Sequence, residues 1–384
     1  MKVAELFAGV GGFRLGLERA SEEFITVFAN QWEPNKKKQW AYENYISHWD
    51  NCVCEDITKI DKNSLPDFDL LVGGFPCQSF SVARSADKAL GLEDEHKGIL
   101  WWQIREILEK KNPKYVLLEN VDRLLKSPTK QRGRDFGVIL KGFSDLGYTV
   151  EWRVINAADY GNAQRRRRTY ILAYKGSYKN CLNECFPLDE IDNQIKKTRV
   201  YTLSKTETEV FNTFKADFGS VGYCENGNIK TKDVIPKFEQ PTPMAEILIS
   251  VERERERERE HTARYLTDEQ IEKFKYLKGS KRIPRVTKDG HEWIYSEGAM
   301  AFPDDLDKPS RTMLTSEGSV NRCSHVVDDN GLRFLSPIEC ERLNGFPDDW
   351  TKGMPDRMRY FCMGNALVVP IVERIGKKIM EMEI

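Results

Sequence analysis

The stretch Leu70-Leu71-Val72-Gly73-Gly74-Phe75-Pro76-Cys77-Gln78-Ser79 decides the fold. The run 69–72 predicts a short buried strand, and the glycine pair after it predicts a turn where a side chain would clash. Cys77 then follows the carboxyl end of a strand, which is where open α/β sheets place their ligands and chemistry. Pro76 restricts the backbone before the sulfur and so favours an aimed nucleophile. A lone cysteine is more often a buried structural residue, so the other motifs of the chain must show whether Cys77 is functional.

The composition is that of a globular protein large enough for two lobes. Of 384 residues, 40% are hydrophobic and 31% are charged. No stretch approaches twenty apolar residues and no signal-peptide pattern opens the chain, so we expect a cytoplasmic protein. The net charge of -1 argues against a general polycation. Local basic patches can still bind a polyanion.

The cysteines predict a reducing compartment and no metal. There are nine of them, an odd number without a disulfide framework. Cys52-x-Cys54 and Cys181-x3-Cys185 both lack a second His/Cys pair at zinc-finger spacing. We therefore expect no zinc site.

The N-terminus predicts a nucleoside-binding unit. A strand over 3–7 is followed by the glycine turn 8–12 and a helix over 13–20. Strand, glycine turn and helix open a Rossmann-type unit, in which the helix N-terminus favours negative charge. The glycines do not complete Gly-x-Gly-x-x-Gly, so a nucleoside-bearing cofactor other than a dinucleotide is favoured.

Two further strands predict contacts to a nucleoside. The strand 25–29 ends in Asn30-Gln31-Trp32-Glu33, where Gln31 or Glu33 would accept from ribose hydroxyls and Trp32 would lie against an adenine. A third candidate strand, 52–57, carries Asp56 as an acceptor for an adenine amino group. The alternative for each residue is a solvated loop position.

An acid and a basic run accompany the cysteine. The polar stretch 82–97 is a candidate lid or a plain surface loop, and an amphipathic helix is predicted over 98–108. The strand 115–118 ends in Glu119-Asn120-Val121, so Glu119 and the thiol can converge on one site. Strands over 150–156 and 170–174 flank Gln164-Arg165-Arg166-Arg167-Arg168, whose side chains alternate in direction if the segment is extended.

The second half of the chain predicts a separate lobe. From about residue 175 the segments are irregular and proline-rich, which favours β and loop structure. The Glu/Arg alternation over 252–260 predicts a solvated insert. Ser336, Pro337 and Glu339 predict a capped helix start, and Gly345 predicts its end. A final helix is predicted over 371–382.

These motifs, taken in order, resemble those of the DNA (cytosine-5)-methyltransferases. The resemblance spans nearly the whole chain, and six motifs in the family's order make coincidence negligible. The matching segments are Phe7-Ala8-Gly9-Val10-Gly11-Gly12, Gly74 to Ser81, Glu119-Asn120-Val121, Gln164 to Tyr170, Glu341 to Pro347 and Gly364-Asn365-Ala366.

The resemblance implies S-adenosylmethionine as methyl donor and no metal. Trp32 matches the residue against the adenine, Asp56 the acceptor for its amino group, and Gln31 the ribose position. The remaining residues that it places at the cofactor are Phe7, Gly9, Val10, Gly11, Gly12, Ile57, Leu100, Asn365 and Ala366.

The resemblance also implies the catalytic set. Cys77 matches the nucleophile that adds to carbon 6 of a flipped-out cytosine, and Glu119 matches the acid at N3. Arg166 and Arg168 match arginines near the cytosine. Substrate contacts are implied for Pro76, Gln78, Ser79, Asn120 and Gln164.

The expected fold is α/β, a Rossmann-like methyltransferase fold with a smaller, irregular, β-rich target-recognition domain. The expected domains are 1–174 for catalysis and cofactor, 175–332 for target recognition, and 333–384 returning to the catalytic domain. The expected partner is double-stranded DNA, bound by a bacterial monomer that acts at the nucleoid. A restriction endonuclease paired in function, without stable contact, is a candidate partner.

The chain departs from the family pattern at two positions. Gln31 replaces an acid, which leaves a weaker, neutral acceptor, and Lys97 replaces an arginine, which loses the planar fork. Three other classes stay open: a transfer-RNA methyltransferase of the same fold, an inert DNA-binding relative, and a small-molecule thiol enzyme. Phe75-Pro76-Cys77 and the presence of both Cys77 and Glu119 favour an active DNA enzyme.

Overall fold

A computed structural model describes residues 1–75, 100–189, 197–249, 264–287, 290–329 and 331–383. Pro76, Cys77, Gln78 and Ser79, the stretch 82–97 and the repeat 252–260 lie outside the described residues. The chain forms two compact units. The first unit is Met1–Tyr160, Arg167–Glu239 and Val368–Ile384, and the second unit is Gly161–Arg166 and Gln240–Leu367.

Strands and helices are numbered in chain order through both units. The strands are β1 Lys2–Leu6, β2 Ile25–Asn30, β3 Leu70–Gly74, β4 Tyr115–Val121, β5 Tyr148–Asn156, β6 Arg167–Lys175, β7 Arg199–Thr202, β8 Val221–Glu225, β9 Asn228–Lys232, β10 Lys281–Val286, β11 Glu292–Glu297, β12 Val326–Asp328 and β13 Leu332–Phe334. The helices are α1 Gly12–Ala20, α2 Trp40–His48, α3 Leu100–Lys111, α4 Arg134–Asp145, α5 Cys181–Cys185, α6 Glu207–Thr213, α7 Asp268–Lys278, α8 Pro337–Leu343, α9 Asp356–Asn365 and α10 Val369–Glu381.

The first unit is built on a nine-stranded sheet in the order β2-β1-β3-β4-β6-β5-β8-β9-β7. Strands β2, β1, β3 and β4 are parallel, and β6 pairs antiparallel with both β4 and β5. Leu70, Leu71 and Val72 of β3 are fully buried, as an apolar run inside a parallel sheet must be. The predicted α/β, Rossmann-like architecture is confirmed.

The C-terminal helix α10 packs on α1 in the first unit. Its buried face is apolar and includes Ile371, Val372 and Ile375. Gly16 of α1 allows the two helices to approach closely, because a Cβ there would lie 2.7 Å from Val372 Cβ and 3.1 Å from the Val369 carbonyl oxygen. The chain's last helix thereby covers its first.

The second unit has two small antiparallel sheets, β10 with β11 and β12 with β13. Phe274, Val326 and Phe334 form a buried cluster in it. The predicted helix start is confirmed: Ser336 accepts from the Glu339 N–H, the Glu339 side chain accepts from the Ser336 N–H, and Pro337 is the first helical residue. Gly345 follows the end of α8 with φ of +76°.

The predicted third strand is wrong. Within 52–57, Val53 makes an isolated bridge to Asn30, and Asp56 then caps a 3-10 turn over Ile57–Lys59. The cap draws the chain away from the sheet, because Asp56 Oδ1 accepts from both the N–H and the hydroxyl of Thr58.

Several elements differ in extent from their predictions. Strand β3 continues through Gly73 and Gly74, where the sequence predicted a turn, because both residues pair with β4. Strand β6 begins at Arg167, three residues before its predicted start. Strand β4 continues through Glu119 and Asn120, which pair with Tyr170 and Thr169 of β6. The chain beyond residue 175 also extends the first sheet, because β8 pairs with β5 and is followed by β9 and β7. The second unit accordingly begins after Glu239, apart from the segment 161–166.

No helix among the described residues is long and apolar enough to cross a membrane.

We expect Gly16→Ala to destabilise the first unit despite the better helix propensity of alanine. The new Cβ would overlap Val372, and overpacking of this kind costs about 1–3 kcal/mol, against roughly 1 kcal/mol gained in propensity. The measurement is the urea unfolding midpoint. Gly298→Ala is the control, since a Cβ there meets no atom within 4 Å. Equal midpoints for Gly16→Ala and the parent would contradict the close packing of α1 on α10.

Candidate active site

The turn after β1 depends on backbone conformations that favour glycine. Gly9 has φ of +56° and Gly11 of +82°, and Phe7 also takes a left-handed conformation with φ of +55°. A Cβ on Gly11 would lie 2.2 Å from the Trp49 ring. With Gly12, this turn brings backbone N–H groups and the start of α1 to the carboxyl end of β1, beside the buried side chain of Val10.

Gln31 and Trp32 follow β2, the parallel neighbour of β1. Gln31 is buried, and its Oε1 accepts from the Gly9 N–H at 2.7 Å. The side chain of Trp32 is half-buried. The Gln31 amide therefore ties the glycine turn to the end of β2, a role that the sequence pattern did not predict.

Asp56 and Ile57 follow Val53, which forms a bridge to Asn30 at the end of β2. The Asn30 side chain donates to the carbonyls of Val53 and Glu55, at 3.1 and 2.8 Å, and so holds the segment before Asp56. Ile57 is buried, whereas Asp56 is half-buried and uses Oδ1 for its cap. Leu100, the first residue of α3, is half-buried in the same unit.

A buried carboxyl in β1 was missed by the sequence analysis. Glu5 is fully buried, and its Oε2 accepts from the Tyr45 hydroxyl at 2.8 Å. Arg14 of α1 donates to Tyr45 at 3.4 Å and also to Asn51. Burial raises the pKa of Glu5 to about 7, although Tyr45 and Arg14 both act to lower it. The one sequence signal was an acid at an inward position of an apolar strand.

Glu119 lies opposite the end of β3. In the register of the sheet Glu119 is the partner of Gly74, and a Cβ on Gly74 would lie 3.3 Å from Glu119 Oε2. Arg168 of β6 makes an ion pair with Glu119, with 2.8 Å between Nε and Oε1. Both side chains are mostly buried, at 18% and 15% exposure. The acid in β4 is therefore held by a guanidinium, and it lies opposite the end of β3, the strand that precedes Cys77 in the sequence.

Asn120 fixes the chain just before the cysteine segment. Its side-chain amide is buried and donates to the Phe75 carbonyl at 2.8 Å, while its Oδ1 accepts from the Val121 N–H. Phe75 is the last described residue before 76–99. The predicted roles of Pro76, Cys77, Gln78 and Ser79 fall on residues outside the described part and stay predictions.

The four arginines alternate as predicted. Arg165 and Arg167 are exposed, Arg166 is buried, and Arg168 is half-buried beside Glu119. Arg166 belongs to the second unit, where its guanidinium donates to the carbonyls of Met313, at 3.2 Å, and Gly364, at 2.9 Å.

The side chain of Gln164 makes its hydrogen bonds within the second unit. It is fully buried, its Oε1 accepts from the Met313 N–H at 3.0 Å, and its amide donates to Asn344 at 3.0 Å. Asn344 in turn donates to the Met363 carbonyl at 2.8 Å. Gln164 and Arg166 thus hold together the segments around residues 313, 344 and 364. Asn365 and Ala366 follow directly, at the end of α9.

No group of three or more His, Cys, Asp or Glu side chains in the described ranges is arranged to hold a metal ion. Cys52 and Cys54 lie in the segment after α2, and burial raises the pKa of both thiols.

Comparison with known proteins gives a consistent result. The model of the C-5 cytosine-specific DNA methylase family matches residues 1–381. The Type II methyltransferase M.Sau3AI of Staphylococcus aureus is 48% identical over 406 aligned positions, which cover 100% of this chain and 96% of that protein. The Type II methyltransferase M.NgoBI of Neisseria gonorrhoeae is 31% identical over 98% of this chain and 92% of its own length.

Solved structures share the fold. The S. pombe Dnmt2 methyltransferase aligns over 100% of both chains with a TM-score of 0.60 and 15% identity. The likeness extends over the whole chain and identifies the fold as that of the methyltransferases.

We expect Glu5→Gln to change how stability depends on pH. The folded pKa near 7 lies above the ordinary value of 4.5, so the folded parent binds a proton that the unfolded chain has already released. Stability of the parent should therefore fall as pH rises from about 4.5 to about 7, by roughly 3 kcal/mol in total, and level off above 7, while the variant should not show this loss. The measurement is the unfolding midpoint of both proteins at about pH 4.5, 6 and 8.

Glu22→Gln is the matched control, because Glu22 is exposed and carries the same charge. Parallel pH curves for the parent and Glu5→Gln would show that Glu5 does not titrate in this range.

Proposed function

The chain belongs to the C-5 cytosine-specific DNA methylases, and we propose that it methylates carbon 5 of a flipped-out cytosine in a specific double-stranded DNA site through a covalent adduct on Cys77. The methyl donor is S-adenosylmethionine.

One observation carries this proposal. Glu119 is the register partner of Gly74, and from Gly74 the chain reaches Cys77 in three residues. Asn120 holds the Phe75 carbonyl between them. An acid and a thiol that leave neighbouring strand ends can act on one ring from two sides.

The residues at the ends of β1 and β2 suit a sulfonium nucleoside. The Gly9 backbone leaves room for close approach, because nothing lies within 4 Å of a Cβ position there. Trp32 offers a ring face to an adenine, Asp56 an acceptor to its amino group, and Gln31 a neutral amide to the ribose. Asn365 and Ala366 complete the proposed cofactor set with Phe7, Val10, Gly12, Ile57 and Leu100.

The chemistry explains why a thiol and an acid are needed together. Carbon 5 of cytosine is a poor nucleophile, and addition of the Cys77 thiolate to carbon 6 converts the ring into an enamine. Glu119, in its protonated form, donates to N3 and so offsets the charge that builds on the ring. S-adenosylmethionine, when bound, supplies an electrophilic methyl group. Loss of the proton at carbon 5 and expulsion of Cys77 then restore the aromatic ring.

The remaining polar residues hold this site in shape. Arg168 keeps the Glu119 carboxyl oriented through their ion pair, and Asn120 positions the strand end before Pro76, Gln78 and Ser79, which we assign to the cytosine pocket. Gln164 and Arg166 hold segments of the second unit in place, and we assign Gln164 to cytosine binding and Arg166 to catalysis. We assign cofactor and chemistry to 1–174, target recognition to 175–332, and the return to the catalytic domain to 333–384.

The partner that we propose is bacterial nucleoid DNA, bound by a monomer in the cytoplasm. The relatives are named as Type II methyltransferases and come from bacteria. They support a restriction endonuclease as a functional partner that recognises the same site.

A duplex with 5-fluorocytosine in its site should trap the enzyme. After methyl transfer no proton remains to be lost from carbon 5, so Cys77 cannot leave and the protein should stay bonded to DNA through boiling in detergent. Cys77→Ser should give no such complex, because a hydroxyl offers almost no anion for the attack. A stable adduct with the serine variant would assign the nucleophile to another residue.

Glu119→Gln should lower turnover by roughly 10²- to 10⁴-fold, the usual contribution of a general acid, with little change in duplex affinity. The measurements are single-turnover methyl transfer and a DNA-binding titration. Glu109→Gln is the control, since Glu109 is a surface acid on α3 paired with Arg105. Near-normal turnover in Glu119→Gln would move the acid role elsewhere.

A further inference from the structure

The strands β10 and β11 form a two-stranded ribbon that stands apart from the other sheets. They pair antiparallel over six residues each, from Lys281 opposite Glu297 to Val286 opposite Glu292. No third strand in the described ranges joins them. On one face of the ribbon every side chain is exposed, namely Arg282, Pro284, Val286, Glu292, Ile294 and Ser296.

The root of the ribbon is firmly held. Glu297 pairs with Lys281, at 3.4 Å, and with Arg322, at 3.1 Å. Lys281 also donates to the Leu277 carbonyl, and Arg322 donates to the carbonyls of Leu277 and Gly298. These contacts tie the first residue pair to the end of α7, so the outer pairs project from a rigid base.

Arg285, near the tip, is ordered by aromatic rings. Its guanidinium carbon lies 4.4 Å from the centre of the Tyr295 ring and 5.9 Å from that of Trp293. Stacking restricts the long side chain and presents the planar fork in a fixed orientation. Neither Arg285 nor Arg282 makes an ion pair with any residue that the structure describes.

Exposed apolar side chains accompany these cations. Val286 is 64% exposed, Ile294 54% and Trp293 42%. Val286 and Ile294 are neighbours on the fully exposed face, and Trp293 lies on the opposite face as the register partner of Arg285. Exposed apolar side chains beside cations favour an interaction surface on this ribbon. Its cations can donate to the acceptors along a DNA major groove, and its methyl-bearing side chains can contact the thymine methyl. Its one unpaired acid, Glu292, can accept from the cytosine amino group.

We propose that the β10–β11 ribbon enters the major groove and that Arg285 reads a guanine of the recognised site. This inference rests on the proposed function, because it names the element by which that enzyme selects DNA. A two-stranded ribbon fits a groove about 12 Å wide, and an arginine fork bonds O6 and N7 of guanine at once. Uncompensated positive charge at Arg282 and Arg285 favours DNA over a second copy of the chain, which would bring the same cations together.

The test compares Arg285→Lys with the parent. Bisulfite sequencing of DNA from a methylation-free host that expresses the parent first defines the site, and methyl transfer is then measured on duplexes with each base pair replaced in turn. Lysine keeps the charge and loses the fork. We expect Arg285→Lys to lose roughly 5- to 160-fold in rate on the full site, and to lose its discrimination at one G·C pair.

Lys352→Ala, which removes one exposed cation elsewhere in the second unit, should leave rate and discrimination unchanged. Affinity for S-adenosylmethionine and the melting temperature should be the same in all three proteins. Discrimination by Arg285→Lys equal to that of the parent at every base pair would overturn the assignment, because a phosphate contact tolerates lysine. Absence of any methylation by the parent would overturn the proposed function itself.

Discussion

The pairing of β3 with β4 is the constraint on which the rest of the first unit depends. β3 ends in Gly73 and Gly74, and both positions are crowded: a Cβ on Gly73 would lie 2.9 Å from the Leu6 carbonyl oxygen, and one on Gly74 would lie 3.3 Å from Glu119 Oε2. Glycine at 73 lets β1 approach this strand end closely, and glycine at 74 leaves the Glu119 carboxyl room that a side chain would narrow. The same two residues therefore close the sheet and open the space in front of the acid.

Buried polar groups then fix the strand ends with hydrogen bonds that leave little freedom. Gln31 holds the glycine turn, Asn120 holds Phe75, and Arg168 holds Glu119. Each buried donor or acceptor is costly when unpaired, so such pairs specify one geometry more strongly than apolar contacts do. Glu5 is less completely bonded, since its Oε2 accepts from Tyr45 while its Oε1 has no hydrogen-bond partner among the described residues, and burial raises its pKa to about 7.

The second unit follows the same rule with a different set of partners. Gln164 and Arg166 come from the short segment 161–166 and bind carbonyl and amide groups of distant segments near residues 313, 344 and 364. Asp304, Lys278 and Arg311 form a further buried ion cluster in that unit. A unit with small sheets and a small apolar cluster depends on such polar contacts to hold one conformation. The β10–β11 ribbon is not needed for these contacts.

The sequence by itself determined what depends on local pattern. The β1 strand, the apolar part of β3, the glycine turn over 8–12, the α8 capping box and the alternation of Arg165 to Arg168 follow from residue spacing and backbone preference, and all are confirmed. The ordered motifs determined the family as well. Neither result needs a distant contact, because each depends on neighbours within a few residues.

The tertiary structure alone decided what depends on partners far along the chain. No local signal shows that Gln31 accepts a hydrogen bond from Gly9 or that Asn120 donates one to the Phe75 carbonyl. Nor does any local signal show that Arg166 donates to the carbonyls of Met313 and Gly364. Asp56 was predicted to lie in a strand, and a side-chain cap turned the chain instead. β4 extends through Glu119 because β6 pairs beside it. Hydrogen-bond satisfaction in the folded chain is a global condition, and a sequence pattern states only the local part of it.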